Sequence, residues 1–168
     1  AYRYKEPVME FVLLLYNIEK NTNLGQIIRT ANALGAKEIC VIGKKKFASY
    51  GNQRTKGETR FRHFFQFVEA QAYYKSLHFD VVAVEICPDS ISVNQHQFSS
   101  DTVFVLGNES AGVSAKALEL CDYSVHIPQY GSGASINVNV ACGIVLNAFM
   151  QQSEASVNRI VENKFIQS

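Results

Sequence analysis

The densest grouping of residues fit for chemistry opens the stretch from Ile127 to Met150: Ile127-Pro128-Gln129-Tyr130-Gly131-Ser132-Gly133-Ala134-Ser135-Ile136-Asn137-Val138-Asn139-Val140, followed by an apolar run. A loop rich in glycine and led by proline, placed ahead of a helix, leaves backbone N–H groups open where partial positive charge gathers. That is the architecture of a binding site. Ser135 and Asn137 are expected to cap the helix. A merely capped, buried helix explains Ser135 about as well, but accounts poorly for Asn137 and Asn139. Elsewhere Asn23, Arg29 and Glu109 are polar residues at or near element starts in otherwise apolar sequence. Arg29 is the most pointed, because Leu24 to Leu34 carries no other charge. Its plain alternative is a surface-facing helical arginine; that of Glu109 is a loop carboxylate capping a helix through Leu120.

Several chemistries are disfavoured by what is missing. No G-x-G-x-x-G follows the first strand, which weakens a nicotinamide or flavin reading, and no Walker phosphate loop occurs. His63, His78, His96 and His126 are isolated from one another in sequence, so no metal set is expected. Ser110 lies in no nucleophile elbow, which argues against a hydrolytic triad.

The elements that must position these residues read as alternating strands and helices. Phe11 to Tyr16 is a continuous apolar run, expected as a strand buried on both faces. Asn17 to Leu24 is polar and leads into a helix with Leu24, Ile27, Ile28, Ala31 and Leu34 on one face, ending at Gly35. Glu38 to Ile42 is a second strand, so strand, helix and strand form a parallel crossover unit within about thirty residues. Residues 44 to 63 lack a period and are expected as a long exposed loop. Phe64 to Leu77 is expected as an amphipathic helix, Val81 to Ile86 as a strand, and the residues on to Ser100 as a polar loop. Thr102 to Leu106 is another buried strand, running into Gly107-Asn108-Glu109-Ser110-Ala111-Gly112. Ser114 then caps a short helix through Leu120, and Tyr123 to Ile127 is the last strand. In the final helix Val138, Ala141, Cys142, Val145 and Phe149 recur at helical spacing and form its core face. The segments 17 to 25, 107 to 112 and 128 to 137 each follow a strand, where ligand sites of parallel sheets lie.

The 168 residues suit a single domain, with residues 1 to 10 as lead-in and 151 to 168 as helix end or tail. A hydrophobic content of 47% and a charged content of 18% fit a compact globule. The formal net charge is only +1, yet seven of the 16 basic residues lie between Lys44 and Arg62: Lys44, Lys45, Lys46, Arg54, Lys56, Arg60 and Arg62, against Glu58 alone. Such a stretch suggests a polyanion contact on one face, the alternative being a solvated loop. Cys40, Cys87, Cys121 and Cys142 form no C-x-x-C pair, so an intracellular, reducing compartment is expected. No run approaches the ~18 apolar residues of a membrane helix. The chain opens on Ala1, as a processed or trimmed chain would, and a removed targeting peptide would leave no trace.

Three segments together resemble the signature motifs of the SpoU/TrmH family of the SPOUT superfamily, S-adenosylmethionine-dependent RNA 2′-O-ribose methyltransferases. They are Asn23-Leu24-Gly25-Gln26-Ile27-Ile28-Arg29-Thr30-Ala31, then Phe104-Val105-Leu106-Gly107-Asn108-Glu109-Ser110-Ala111-Gly112-Val113-Ser114, then Ile127-Pro128 through Ser135-Ile136-Asn137-Val138-Asn139-Val140-Ala141. They fall in the family's order, and the resemblance spans roughly residues 11 to 150. It implies an α/β domain, a parallel sheet flanked by helices, whose C-terminal segment forms a trefoil knot. It also implies a bent S-adenosylmethionine held mostly by backbone groups around Val84, Leu106, Gly107, Ile127, Ser135 and Ile136, and a homodimer whose partner completes the active site.

By the same resemblance Arg29 matches the family's catalytic arginine. A guanidinium with a pKa above about 12 is a poor proton acceptor. Its implied role is therefore electrostatic, beside the alkoxide that develops as the 2′-hydroxyl loses its proton, with an RNA phosphate as a proton acceptor. Asn23, Glu109, Ser135 and Asn137 would position Arg29, the ribose and the loop, and no metal is required. Ile136 stands where leucine is commoner in the family. The lead-in before Phe11 is too short for a separate RNA-binding domain, so RNA capture is expected to fall to residues 44 to 63 and the dimer surface, to a partner or to a missing region. Transfer to RNA, tRNA before rRNA, is thus the leading expectation. A knotted RNA-binding module without catalysis and a nucleotide-binding enzyme unrelated to RNA are the alternatives.

Overall fold

Uninterrupted apolar runs become strands covered on both faces, and they form the middle of a single parallel sheet. A computed structural model describes residues 9–18, 21–43, 59–133 and 135–153. Its elements in chain order are β1 (Phe11–Tyr16), α1 (Asn21–Ala33), β2 (Glu38–Ile42), β3 (Phe61–Phe64), α2 (Phe67–Ser76), β4 (Asp80–Val84), β5 (Ile91–Ser92), β6 (Thr102–Leu106), α3 (Ala115–Leu120), β7 (Tyr123–His126) and α4 (Val138–Ser153). The strands lie in the order β3-β2-β1-β6-β4-β7-β5. Every neighbouring pair is parallel, with Leu13 of β1 in register with Ile39 on one side and Phe104 on the other.

Alternation along the strands splits the core into two layers. Leu13, Ile39, Val82 and Phe104 face α1 and α4, which contribute Leu24, Ile27, Ala31, Cys142, Val145 and Phe149. Val12, Leu14, Cys40, Val81 and Val103 face α2 and α3, which contribute Phe67, Ala70, Tyr74 and Ala117. Phe98, Phe104 and Phe149 meet edge to face, with centroids 5.2 to 5.6 Å apart, a favoured aromatic geometry. All four cysteines are free, and burial pushes the thiols of Cys40 and Cys142 up to about 12. The hydroxyl of Ser153 donates to the carbonyl of Met9 at 2.5 Å and accepts its N–H at 2.9 Å, fastening the entry of β1 to the end of α4.

Five expectations need correction. The stretch 44 to 63 is not all loop: its last residues form β3, and Phe64 belongs to that strand, so α2 begins only at Phe67. What makes β3 a strand is tertiary. Arg62 Nε donates to Glu38 Oε2 at 2.9 Å, its guanidinium lies 4.4 Å from the centre of the Tyr73 ring, and Tyr74 Oη donates to the same carboxylate at 2.5 Å. A carboxylate only 9% exposed requires such partners, and burial above all holds the Tyr74 hydroxyl protonated. The polar loop before Ser100 contains β5, whose two residues pair with Val125 and His126 and are too few to show a period. Finally, α1 starts at Asn21, which places Asn23 inside its first turn, and β4 stops at Val84 rather than Ile86. Among the described residues no helix is long and apolar enough to cross a membrane.

Candidate active site

At the carboxyl ends of β4, β6 and β7 the chain leaves a cleft of about 390 Å³. This is where open parallel sheets hold ligands, because strand ends there turn outward into loops with exposed backbone groups. Val84, Leu106, Gly107, Ile127, Ser135 and Ile136 all line it, as do Asn23, Glu109 and Asn137. Arg29 does not. It is exposed on α1, whose opposite face is buried through Leu24, Ile27 and Ala31.

Contacts between the three sequence segments build the site. Asn23 Nδ2 reaches Glu109 Oε1 at 3.5 Å, the outer limit of a hydrogen bond, and so joins the first segment to the second. Thr30 Oγ1 donates to Asn139 Oδ1 at 3.1 Å, joining the first to the third. Gly143 of α4 approaches closely as well, for a Cβ there would stand 3.6 Å from the methyl of Thr30.

The loop after β6 is a closed backbone cradle. Asn108 and Gly112 exchange N–H donors and carbonyl acceptors at 3.1 and 2.8 Å. Asn108 Oδ1 accepts the N–H groups of Ser110 and Ala111, each at 2.9 Å, and its Nδ2 donates to the Asn17 carbonyl at 2.8 Å. This turn requires glycine at both ends. A Cβ on Gly107 would lie 2.3 Å from the Gly112 carbonyl carbon, and Gly112 has φ +69°. Just past β4, Glu85 Oε2 accepts the Val113 N–H at 3.1 Å and pins the far side of the loop.

At the other wall Asn137 caps α4, its Oδ1 accepting the Asn139 N–H at 2.9 Å. Ser135 was expected to share that cap; it lies two residues further out, exposed on the loop at the cleft. The remaining amide of Asn137 is left to donate.

Glu85, Asn108 and His126 also line the cleft and were missed as site residues. Ser90 Oγ donates to the Cys87 carbonyl at 2.8 Å, so its 2.8 Å contact with His126 Nδ1 is donated by the ring. The unprotonated nitrogen of a neutral His126 is then Nε2. The sequence signal for His126 was its place at a strand's carboxyl end. For Glu85 that signal was hidden by reading β4 two residues too long.

Of the basic residues expected to hold RNA, Lys44, Lys45, Lys46, Arg54 and Lys56 lie outside the described residues. Arg60 is exposed just ahead of β3, whereas Arg62 spends its Nε and Nη2 on Glu38. No group of three or more potential metal ligands occurs among the described residues.

The sheet order, the two helical layers and a glycine-built cradle at the carboxyl edge define a parallel α/β domain with an open cleft beyond the carboxyl ends of its strands. The sequence profile of the SpoU rRNA Methylase family matches residues 10–147, and the chain belongs to that family. It is 29% identical over 155 residues to the tRNA (guanosine(18)-2′-O)-methyltransferase of Aquifex aeolicus, covering 86% of this chain and 71% of that protein. Against the 23S rRNA (guanosine-2′-O-)-methyltransferase RlmB of Coxiella burnetii the identity is 27% over 162 residues, covering 90% of this chain and 62% of that one. The fold matches the SpoU methyltransferase AviRb from Streptomyces viridochromogenes, solved with the cofactor AdoMet, at a TM-score of 0.75 and 25% identity, over 88% of this chain and 59% of that chain. The chain thus spans less than two thirds of the length of the last two.

Proposed function

We propose that this protein transfers the methyl group of S-adenosylmethionine to a ribose 2′-hydroxyl of RNA. The observation that carries the reading is the meeting of all three sequence segments of the SpoU family at one cleft, through Asn23 with Glu109 and Thr30 with Asn139. The cleft suits the cofactor. Its volume of about 390 Å³ lies in the range of small-molecule sites. Val84, Leu106, Ile127 and Ile136 supply apolar walls for an adenine, and the Gly107–Gly112 turn and the loop through Ser135 supply backbone groups for its polar edges.

When bound, the cofactor supplies a methyl group already activated on a sulfonium. The chain's task is then to place the 2′-oxygen in line and to stabilise the charge it acquires as its proton leaves to an RNA phosphate. The Asn137 amide and the Ser135 hydroxyl hold the ribose, while Glu109, steadied by Asn23, orients the groups around it. Arg29 supplies the positive charge beside the alkoxide.

On a single chain Arg29 stays outside the cleft, which supports a homodimer. Arg29 precedes Thr30, the residue that packs on α4, and α4 exposes Val140 at 51% and Ile144 at 38%, one turn apart. A second copy seated on this face would cover both and bring Arg29 to the neighbouring cleft. The segment after β7 is taken to thread the family's trefoil knot. Because relatives matched over more than two thirds of their length are tRNA (guanosine(18)-2′-O)-methyltransferases, tRNA is the favoured substrate over rRNA, with Arg60 and the basic residues before it contacting phosphates without reading sequence.

The test is incubation of the purified protein with methyl-labelled S-adenosylmethionine and unmodified total tRNA, beside Arg29→Ala. Label in 2′-O-methyl nucleosides, falling at least about a hundredfold in the variant while calorimetry shows cofactor binding intact, is the expected outcome. Full activity in Arg29→Ala removes Arg29 from the mechanism; absence of both label and cofactor binding in the wild type overturns the methyltransferase reading.

A further inference from the structure

A second cleft, of about 540 Å³, opens on the other face of the same sheet edge, between the start of α2 and α3. Its apolar and aromatic walls are Tyr16 and Ile42 at strand ends and Phe65 and Val68 around the start of α2, interleaved with polar residues that include Gln66, Ser114 and Lys116. Phe65 is 65% exposed and Val68 53%. Phe65 is nonetheless held in place. The His63 ring packs against it edge to face, at 83°, with centroids 4.7 Å apart, and His63 Nε2 is itself tied to the Gly43 carbonyl at 2.5 Å. An aromatic face that is exposed and prepositioned is a stacking platform.

The two clefts share a wall. Asn17 lines the second cleft, and its carbonyl accepts Nδ2 of Asn108, which lines the first. Ser114, in the second cleft, caps α3 two residues beyond Gly112 of the first, its Oγ accepting the Ala117 N–H and lying 3.1 Å from Tyr16 Oη. A strand whose ribose sat in the first cleft would therefore carry its neighbouring nucleotide across one thin loop.

We propose that the second cleft receives the unstacked base of a nucleotide flanking the one methylated, stacked on Phe65, with Gln66 presenting an amide to its polar edge and Lys116 a cation to its phosphate. The proposal rests on the RNA reading of the first cleft. Aromatic stacking of splayed bases is the general means by which proteins hold single-stranded RNA, and an exposed amide both donates and accepts. Lys116 and Glu119 balance each other at the rim, so affinity there comes from stacking more than from charge.

The experiment compares wild type, Phe65→Ala and Phe65→Trp for retention of unmodified total tRNA on filters across a salt series. Cofactor affinity is followed by calorimetry and assembly by sedimentation. Phe65→Ala is expected to weaken tRNA binding about five- to thirtyfold, with an unchanged salt slope because no phosphate contact is lost. Cofactor affinity, sedimentation and melting temperature stay as in the wild type, and Phe65→Trp restores binding. Unchanged tRNA affinity in Phe65→Ala, failure of Phe65→Trp to restore it, or no tRNA binding by the wild type overturns the proposal. A changed sedimentation coefficient in Phe65→Ala also overturns it, in favour of a second copy on this face. Binding that is lost in Phe65→Ala, by a wild type that transfers no methyl group, sustains the base cleft and sinks methyl transfer instead.

Discussion

Glu85 holds two positions together: its carboxylate grips the Val113 N–H, and its oxygens fill the space a side chain on Gly112 would need, 2.8 Å from the nearest. Removing it orphans a nearly buried backbone donor, a loss of about 1–3 kcal/mol. Glu85→Ala should therefore lower stability to chemical denaturation by that amount and weaken cofactor binding, while Glu85→Gln, which keeps an acceptor, should lose much less of both. The residue could not be picked out from sequence because apolar continuity through Val84 made Glu85 and Ile86 read as strand. Asn23, Glu109 and Asn137 were legible for the opposite reason: each is a polar interruption in apolar sequence that the core itself does not need. Arg62 shows the limit of counting charge. It belongs to a basic run, yet its partner Glu38 lies on another strand, 2.9 Å away, a pairing no local pattern contains.

Among the elements, β1, β2 and β6 were readable to the residue because strands buried on both faces are apolar without alternation. The edge strands β3 and β5 were not, since one side of each is uncovered and its sequence carries polar residues accordingly. The loop between β6 and α3 is the element on which the site depends most. A methyl group added at Gly107 would collide with the Gly112–Val113 peptide, three of whose atoms lie at 2.3, 2.5 and 2.6 Å, with no flexible side chain able to yield. Gly107→Ala should displace the turn. It is expected to weaken S-adenosylmethionine binding by about tenfold or more in calorimetry and to cost about 1–3 kcal/mol of stability in denaturant unfolding. Retained cofactor affinity in that variant would place the cofactor elsewhere.

For the whole molecule, the decisive question is whether one chain is enough. The exposed pair Val140 and Ile144 lies on α4 beside α1, and the helix that carries Arg29 has no other charged residue. Ile144→Asp places an unpartnered charge in the proposed dimer face but leaves the monomer core alone. It should shift the sedimenting species from dimer to monomer and lower methyl transfer by about tenfold or more, with little change in melting temperature. A monomeric variant with full activity would show that Arg29 serves its own chain.

The hydroxyl of Ser153 closes on Met9 across 144 positions of sequence. Protein synthesis delivers those two residues at opposite ends of the described domain, and β1, an inner strand between β2 and β6, is made before the other strands. A nascent chain thus carries its most apolar strand with its entry unsealed until the last turn of α4 has left the ribosome, so completion of this fold waits on the synthesis of that helix.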